Sequence, residues 1–100
     1  TTDVVVIGAG AAGSSTAFHL AHLGHRVTVL ERERSERIKP CGGGMAASVQ
    51  QWFPFDLQPA VDDVIQQVDF SWCLTDPVVA ELPGSAPFWI VKRERLDALL

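Results

Sequence analysis

Residues 4–7 (Val-Val-Val-Ile) form an unbroken β-branched run with no polar alternation. That pattern predicts a strand covered on both faces, as in a parallel sheet. A glycine-rich turn follows at once. Small residues then lead into a predicted helix over 12–23, with Ala17, Leu20 and Ala21 placed to pack on the sheet, and Gly24 supplies its stop. A second run, 27–30 (Val-Thr-Val-Leu), predicts the next strand, which ends in Glu31. Strand, helix and strand within residues 3–31 describe a right-handed βαβ crossover.

The pattern then loosens. Residues 32–39 alternate in charge (Arg32, Glu33, Arg34, Glu36, Arg37, Lys39), which predicts a solvated, self-compensating loop. Pro40-Cys41-Gly42-Gly43-Gly44 breaks any regular element. Residues 45–53 suit a short amphipathic helix stopped near Pro54. Residues 64–74 alternate in part and predict a strand, and 78–82 and 88–91 predict two more, linked by Pro83-Gly84-Ser85-Ala86-Pro87. Residues 93–100 begin a helix. No internal repeat or low-complexity linker is visible.

Composition narrows the class of function. Hydrophobic residues make up 47% and charged residues 20%, as expected for a folded globular chain. The net charge of −4 leaves no basic footprint for nucleic acid. It does not count against a nucleotide, because backbone N–H groups bind phosphate without side-chain charge. Cys41 and Cys73 make no disulfide framework, so reduced thiols and a cytoplasmic setting are the expectation. The apolar stretch 4–12 is too short to span a bilayer and is interrupted by Gly8 and Gly10.

The chemistry concentrates in Gly8-Ala9-Gly10-Ala11-Ala12-Gly13. Gly8 permits the tight turn off the strand. Gly10 lets the backbone approach a pyrophosphate, and Gly13 lets the helix pack closely on the strand. The first helical turn offers N–H groups and the positive end of the helix dipole to that anion. Glu31, eighteen positions beyond Gly13, is placed to accept hydrogen bonds from the adenosine ribose. Its charge also disfavours a 2′-phosphate in this site. The turn alone does not choose between FAD and NAD.

Other residues invite weaker readings. His19, His22 and His25 recur every third position, but only the first two share a helical face and nothing nearby completes a metal set. A helical surface is the simpler reading, and no metal is expected. Arg93 suits either a phosphate or an i,i+4 pair with Asp97. Trp72 reads as core, whereas Trp52 and Trp89 suit either core or an apolar channel.

Two later segments resemble a known family. Lys39-Pro40-Cys41-Gly42-Gly43-Gly44-Met45 resembles the Cys-Gly loop of the geranylgeranyl reductase family of flavoproteins. Residues 91–100 resemble the R-x-x-[LF]-D-x-x-L segment shared by that family and the aromatic-ring hydroxylases. The resemblance implies an FAD enzyme that saturates isolated double bonds of an isoprenoid chain, fed by NADPH or another reductant. In chlorophyll-making organisms the substrate is the geranylgeranyl group of chlorophyll or its diphosphate; in archaea it is a membrane-lipid chain. It implies that Cys41, Gly42 and Gly44 lie beside the flavin or its ribityl chain and that Arg93 approaches the phosphates.

The resulting expectation is an α/β fold with a Rossmann-like βαβ FAD-binding unit and a parallel sheet. Residues 1–100 are read as the N-terminal part of an FAD-binding domain, with the Cys-Gly loop at 39–45 and further strands and a helix over 64–100. The expected cofactor-binding residues are Gly8, Gly10, Ala12, Gly13, Glu31, Arg32, Cys41, Gly42, Gly44 and Arg93. The expected partner is an isoprenoid small molecule, with peripheral membrane contact in the full-length protein. A flavin monooxygenase and a non-catalytic nucleotide-binding fragment are the rival readings.

Overall fold

A computed structural model describes residues 1–34 and 39–100. Glu36 and Arg37 of the alternating-charge run lie outside the described residues. The chain forms two compact units, one from Thr1–Pro40 with Arg93–Leu100, the other from Cys41–Lys92.

The first unit is the predicted crossover. Strand β1 (Val4–Ile7) leads into helix α1 (Ala11–His22), which returns to strand β2 (Val27–Leu30). The strands pair in parallel with Val4 opposite Val27 and Ile7 opposite Leu30. At the lower end, Arg26 clasps Asp3 through its backbone N–H at 2.9 Å and its guanidinium at 3.1 and 2.7 Å. The guanidinium beside Asp3, then the Arg26 amide, hold that carboxyl below its ordinary value, while Arg26 is raised by the same bond.

Helix α1 ends where Gly24 adopts a φ of +93°. Gly24 N–H donates to Ala21 O and His25 N–H to Leu20 O, the Schellman pattern that satisfies the last carbonyls. Phe18 stacks on His22 with centroids 6.0 Å apart, and His19 meets the Phe18 edge at 5.2 Å. His19 is half-buried and His22 exposed. Helix α2 (Arg93–Leu99) completes this unit and buries Leu96.

The expected coverage of β1 on both faces is not reached within these residues. Val5 is 55% and Ile7 86% exposed. One helix shields one face of a two-stranded sheet, and nothing among the described residues covers the other.

The second unit contains two antiparallel sheets. Strands β3 (Gly44–Ala46) and β4 (Val61–Ile65) flank β7 (Phe88–Val91). Strands β5 (Gln67–Trp72) and β6 (Thr75–Glu81) form a separate hairpin. The expected helix over 45–53 is instead β3 followed by a 3₁₀ segment, Ala47–Trp52. Gln50 explains the departure: its side chain donates to Phe55 O and accepts from Leu57 N–H, both at 2.8 Å. These bonds fix the chain after Pro54 and bring Leu57 into the core. Leu57, Ala60, Trp89 and Val91 form the buried centre of this unit.

The single strand expected over 64–74 is two strands broken at Gln66, and the following turn is made by Cys73 and Leu74, both at positive φ. Trp72 is 76% exposed, which corrects its assignment to the core. It ends a hairpin whose apolar side has no cover among the described residues. Trp52 is likewise exposed, whereas Trp89 is buried. No described helix is long and apolar enough to cross a membrane.

Candidate functional site

The site is built at the carboxyl ends of β1 and β2. Gly8 extends the ladder by one bond, its N–H donating to Leu30 O at 2.7 Å, and then turns with a φ of +96°. An L side chain rarely adopts that conformation. Gly13 carries the second constraint. A Cβ there would come under 3.0 Å from the Gly8 carbonyl, so the close approach of helix and turn requires glycine. Ser14 Oγ donates to Ala9 O at 3.0 Å and ties the turn to the helix.

Helix α1 starts from Gly10 without a side-chain cap and without an acid in its first turn. Its leading N–H groups and dipole are therefore left to a ligand, and the favoured ligand is an anion. Glu31 stands immediately after β2. Its Oε2 accepts from Ala9 N–H at 2.6 Å and its Oε1 from Glu33 N–H at 2.9 Å. The acid and the turn thus belong to one hydrogen-bonded assembly.

Together these groups border a cleft of ≈ 510 Å³ lined by Ile7, Gly8, Gly10, Leu30, Glu31, Arg32, Glu33 and Lys39. Its apolar wall suits an adenine, its carboxylate suits ribose hydroxyls, and its helix start suits phosphate. The residues present fit the ADP half of a dinucleotide such as FAD. The tests are the glycine contact that a Cβ would destroy and the uncapped helix start.

Of the sequence-predicted set, Gly8, Gly10, Glu31 and Arg32 line this cleft. Arg32 is well exposed and lies 3.3 Å from Glu33. Ala12 and Gly13 follow in the first turn of α1. Arg93 does not line the cleft; its Nε donates to Asp97 Oδ1 at 3.2 Å, the helical pair weighed as the structural alternative. Lys39, which the sequence places in the charged run and at the head of the Cys-Gly motif but not among the expected cofactor-binding residues, also lines the cleft. The available signal was a cation between the acid and the Pro-Cys-Gly turn. Among the described residues, no three His, Cys, Asp or Glu side chains converge as a metal site.

Cys41, Gly42 and Gly44 belong to the second unit. Cys41 Sγ accepts from Gly43 N–H at 3.4 Å, and Gly43 O accepts from Val91 N–H at 2.9 Å. Gly43 is held at φ +75°, where a Cβ would strike the Val91 carbonyl. Gly44 begins β3 opposite Ile90, and a Cβ there would press on the Phe88 ring at 3.1 Å. Gly42 has open space around it. The loop is thus shaped by the need to lie against β7.

Comparison with known proteins agrees with this geometry. The chain is 35% identical over 78 residues to a squalene monooxygenase of Panax ginseng, covering 73% of this chain and 14% of the relative. It is 49% identical over 43 residues to a menaquinone reductase of Mycobacterium tuberculosis, covering 43% of this chain and 10% of the relative. The chain therefore spans a small fraction of the length of these relatives. A crystal structure of a geranylgeranyl bacteriochlorophyll reductase-like protein from Thermoplasma acidophilum shares the fold. Its TM-score is 0.79 at 21% identity, over 98% of this chain and 26% of that one. The family model described as FAD dependent oxidoreductase matches residues 3–76, a span that holds the glycine turn, the acid and the cleft between them. The chain belongs to the FAD dependent oxidoreductase family.

Proposed function

We propose that this chain forms the ADP-binding region of a flavoenzyme that reduces isolated double bonds of an isoprenoid chain, of the geranylgeranyl type. The observation that carries the flavin part is the cleft that joins an uncapped helix start, a glycine turn and Glu31. The Lys39-to-Met45 motif and the fold shared with the reductase-like protein support the isoprenoid part. Bound FAD would supply the electron chemistry, and the protein would position it. The α1 amides would hold the diphosphate, Glu31 would receive the ribose, and Ile7 and Leu30 would supply the apolar wall of the cleft. NADPH or another reductant feeds the flavin, and the lipid-like substrate brings the protein to a membrane surface.

A second reading, a flavin monooxygenase, is favoured by the similarity to the ginseng enzyme. One experiment separates the two. The full-length protein is purified with its flavin and given an isoprenoid substrate and reductant, first without and then with oxygen. Saturation of double bonds under anaerobic conditions supports reduction. Product that forms only with oxygen and carries an oxygen atom overturns it in favour of the second reading. Absence of bound flavin removes both.

A further inference from the structure

We infer that Lys39 is a cofactor-binding residue of this cleft, supplying the side-chain cation for the diphosphate. The inference rests on the FAD reading above and deepens it. A diphosphate brings two negative charges into a cleft already lined by the carboxylates Glu31 and Glu33. The start of α1 offsets only part of that, since a helix terminus is equivalent to roughly half a positive charge. A side-chain cation would offset the remainder. Among the described residues, two line the cleft, Arg32 and Lys39.

Arg32 is engaged at 3.3 Å with Glu33, and its side chain is 91% exposed. Lys39 has no ion pair among the described residues and borders the same cleft as Gly8 and Gly10. Its compact ammonium on a flexible stem follows a phosphate oxygen without needing a planar partner. Pro40 disfavours helical backbone at Lys39. In a flavin dinucleotide at neutral pH the two phosphates are the ionised groups, so the diphosphate is the part that an ammonium recognises.

The test uses the full-length protein stripped of flavin, with calorimetric titration of FAD, ADP and adenosine into the wild type, K39M and K39R. K39M is expected to weaken FAD and ADP binding by about tenfold, as for loss of one charged hydrogen bond. Adenosine binding is expected to be unchanged, and K39R to recover most of the affinity. The deficit is expected to shrink between about 0.05 and about 0.5 M salt, because screening removes an exposed charge's contribution. Melting of the flavin-free variants checks that folding is intact. Equal ADP affinity in wild type and K39M, or an equal loss for ADP and adenosine, overturns the role of Lys39. A wild type that binds neither FAD nor ADP overturns the FAD reading itself, and this inference with it.

Discussion

The Ala9 N–H donates to Glu31 Oε2 at 2.6 Å, so the acid that follows β2 also grips the turn that follows β1. An ionised carboxylate offers about four acceptor positions. Bonds to the backbone therefore leave acceptor positions on this side chain for ligand hydroxyls. Glu31 shapes the turn before any ligand arrives.

Replacing Glu31 by Ala is expected to speed amide exchange at Ala9 in the flavin-free protein and to weaken FAD binding. Loss of charged hydrogen bonds corresponds to about 10- to 100-fold in affinity. Glu31→Gln is expected to fall between, since its carbonyl oxygen still accepts from Ala9 while its NH₂ faces the Glu33 N–H. Unchanged exchange at Ala9 in Glu31→Ala would show that the turn stands without the acid.

Gly13→Ala is expected to cost at least about 1–3 kcal/mol, the range for overpacking, because its Cβ meets the fixed Gly8 carbonyl rather than a movable side chain. Urea unfolding measures the loss, and flavin content should fall with it. Retention of wild-type stability would mean that helix and turn separate more readily than their contact implies.

Two adjacent glycines of the Cys-Gly loop should behave differently. Gly43→Ala combines a φ of +75° with a clash on the Val91 carbonyl and should be strongly destabilising. Gly42→Ala meets nothing within 4 Å and should shift stability by less than about 0.5 kcal/mol. Comparable melting temperatures for the two variants would refute the assignment of the constraint to Gly43.

The β5–β6 turn places Cys73 at φ +48° and Leu74 at φ +62°. A left-handed backbone costs a residue with a side chain about 1–2 kcal/mol. Exchanging the pair for Asn-Gly, the preferred sequence of such tight turns, should raise stability in chemical denaturation. A neutral or negative effect would indicate that this turn does not hold its backbone there in solution.

The Asp3–Arg26 clasp gives a pH dependence of known sign. The folded-state carboxyl titrates below its ordinary value near 3.8, so its contribution is complete above that value. It disappears as pH falls through the depressed folded-state value. Asp3→Asn should therefore lower the melting temperature slightly at pH 7, with the gap to wild type closing in strong acid. A gap that stays constant down to strong acid would contradict the linkage.

What the sequence made legible follows from how local each signal is. The β1–α1–β2 unit was readable because an uninterrupted Val-Val-Val-Ile run, a glycine turn and Gly24 each fix their own backbone. The break at Gln66 and the turn at Cys73-Leu74 carry no glycine or proline, so 64–74 read as one strand. The 3₁₀ segment 47–52 depends on Gln50 reaching residues five and seven positions away. Exposure of Trp72 depends on what faces it, which no local pattern encodes. Lys39 closes a run of alternating charges and opens the Cys-Gly motif, and neither pattern shows that it borders the same cleft as Gly8 and Glu31.

On the β5–β6 hairpin, Val68 pairs with Ala80 and Phe70 with Val78, while Gln67 pairs with Glu81. Directly opposed residues share a side, so one surface of the hairpin is oily and open, with Phe70 58% and Val78 59% exposed. A two-stranded ribbon of this kind is barely stable in water by itself. Produced as an isolated hundred-residue polypeptide, the molecule should bind hydrophobic dyes and self-associate through this ribbon.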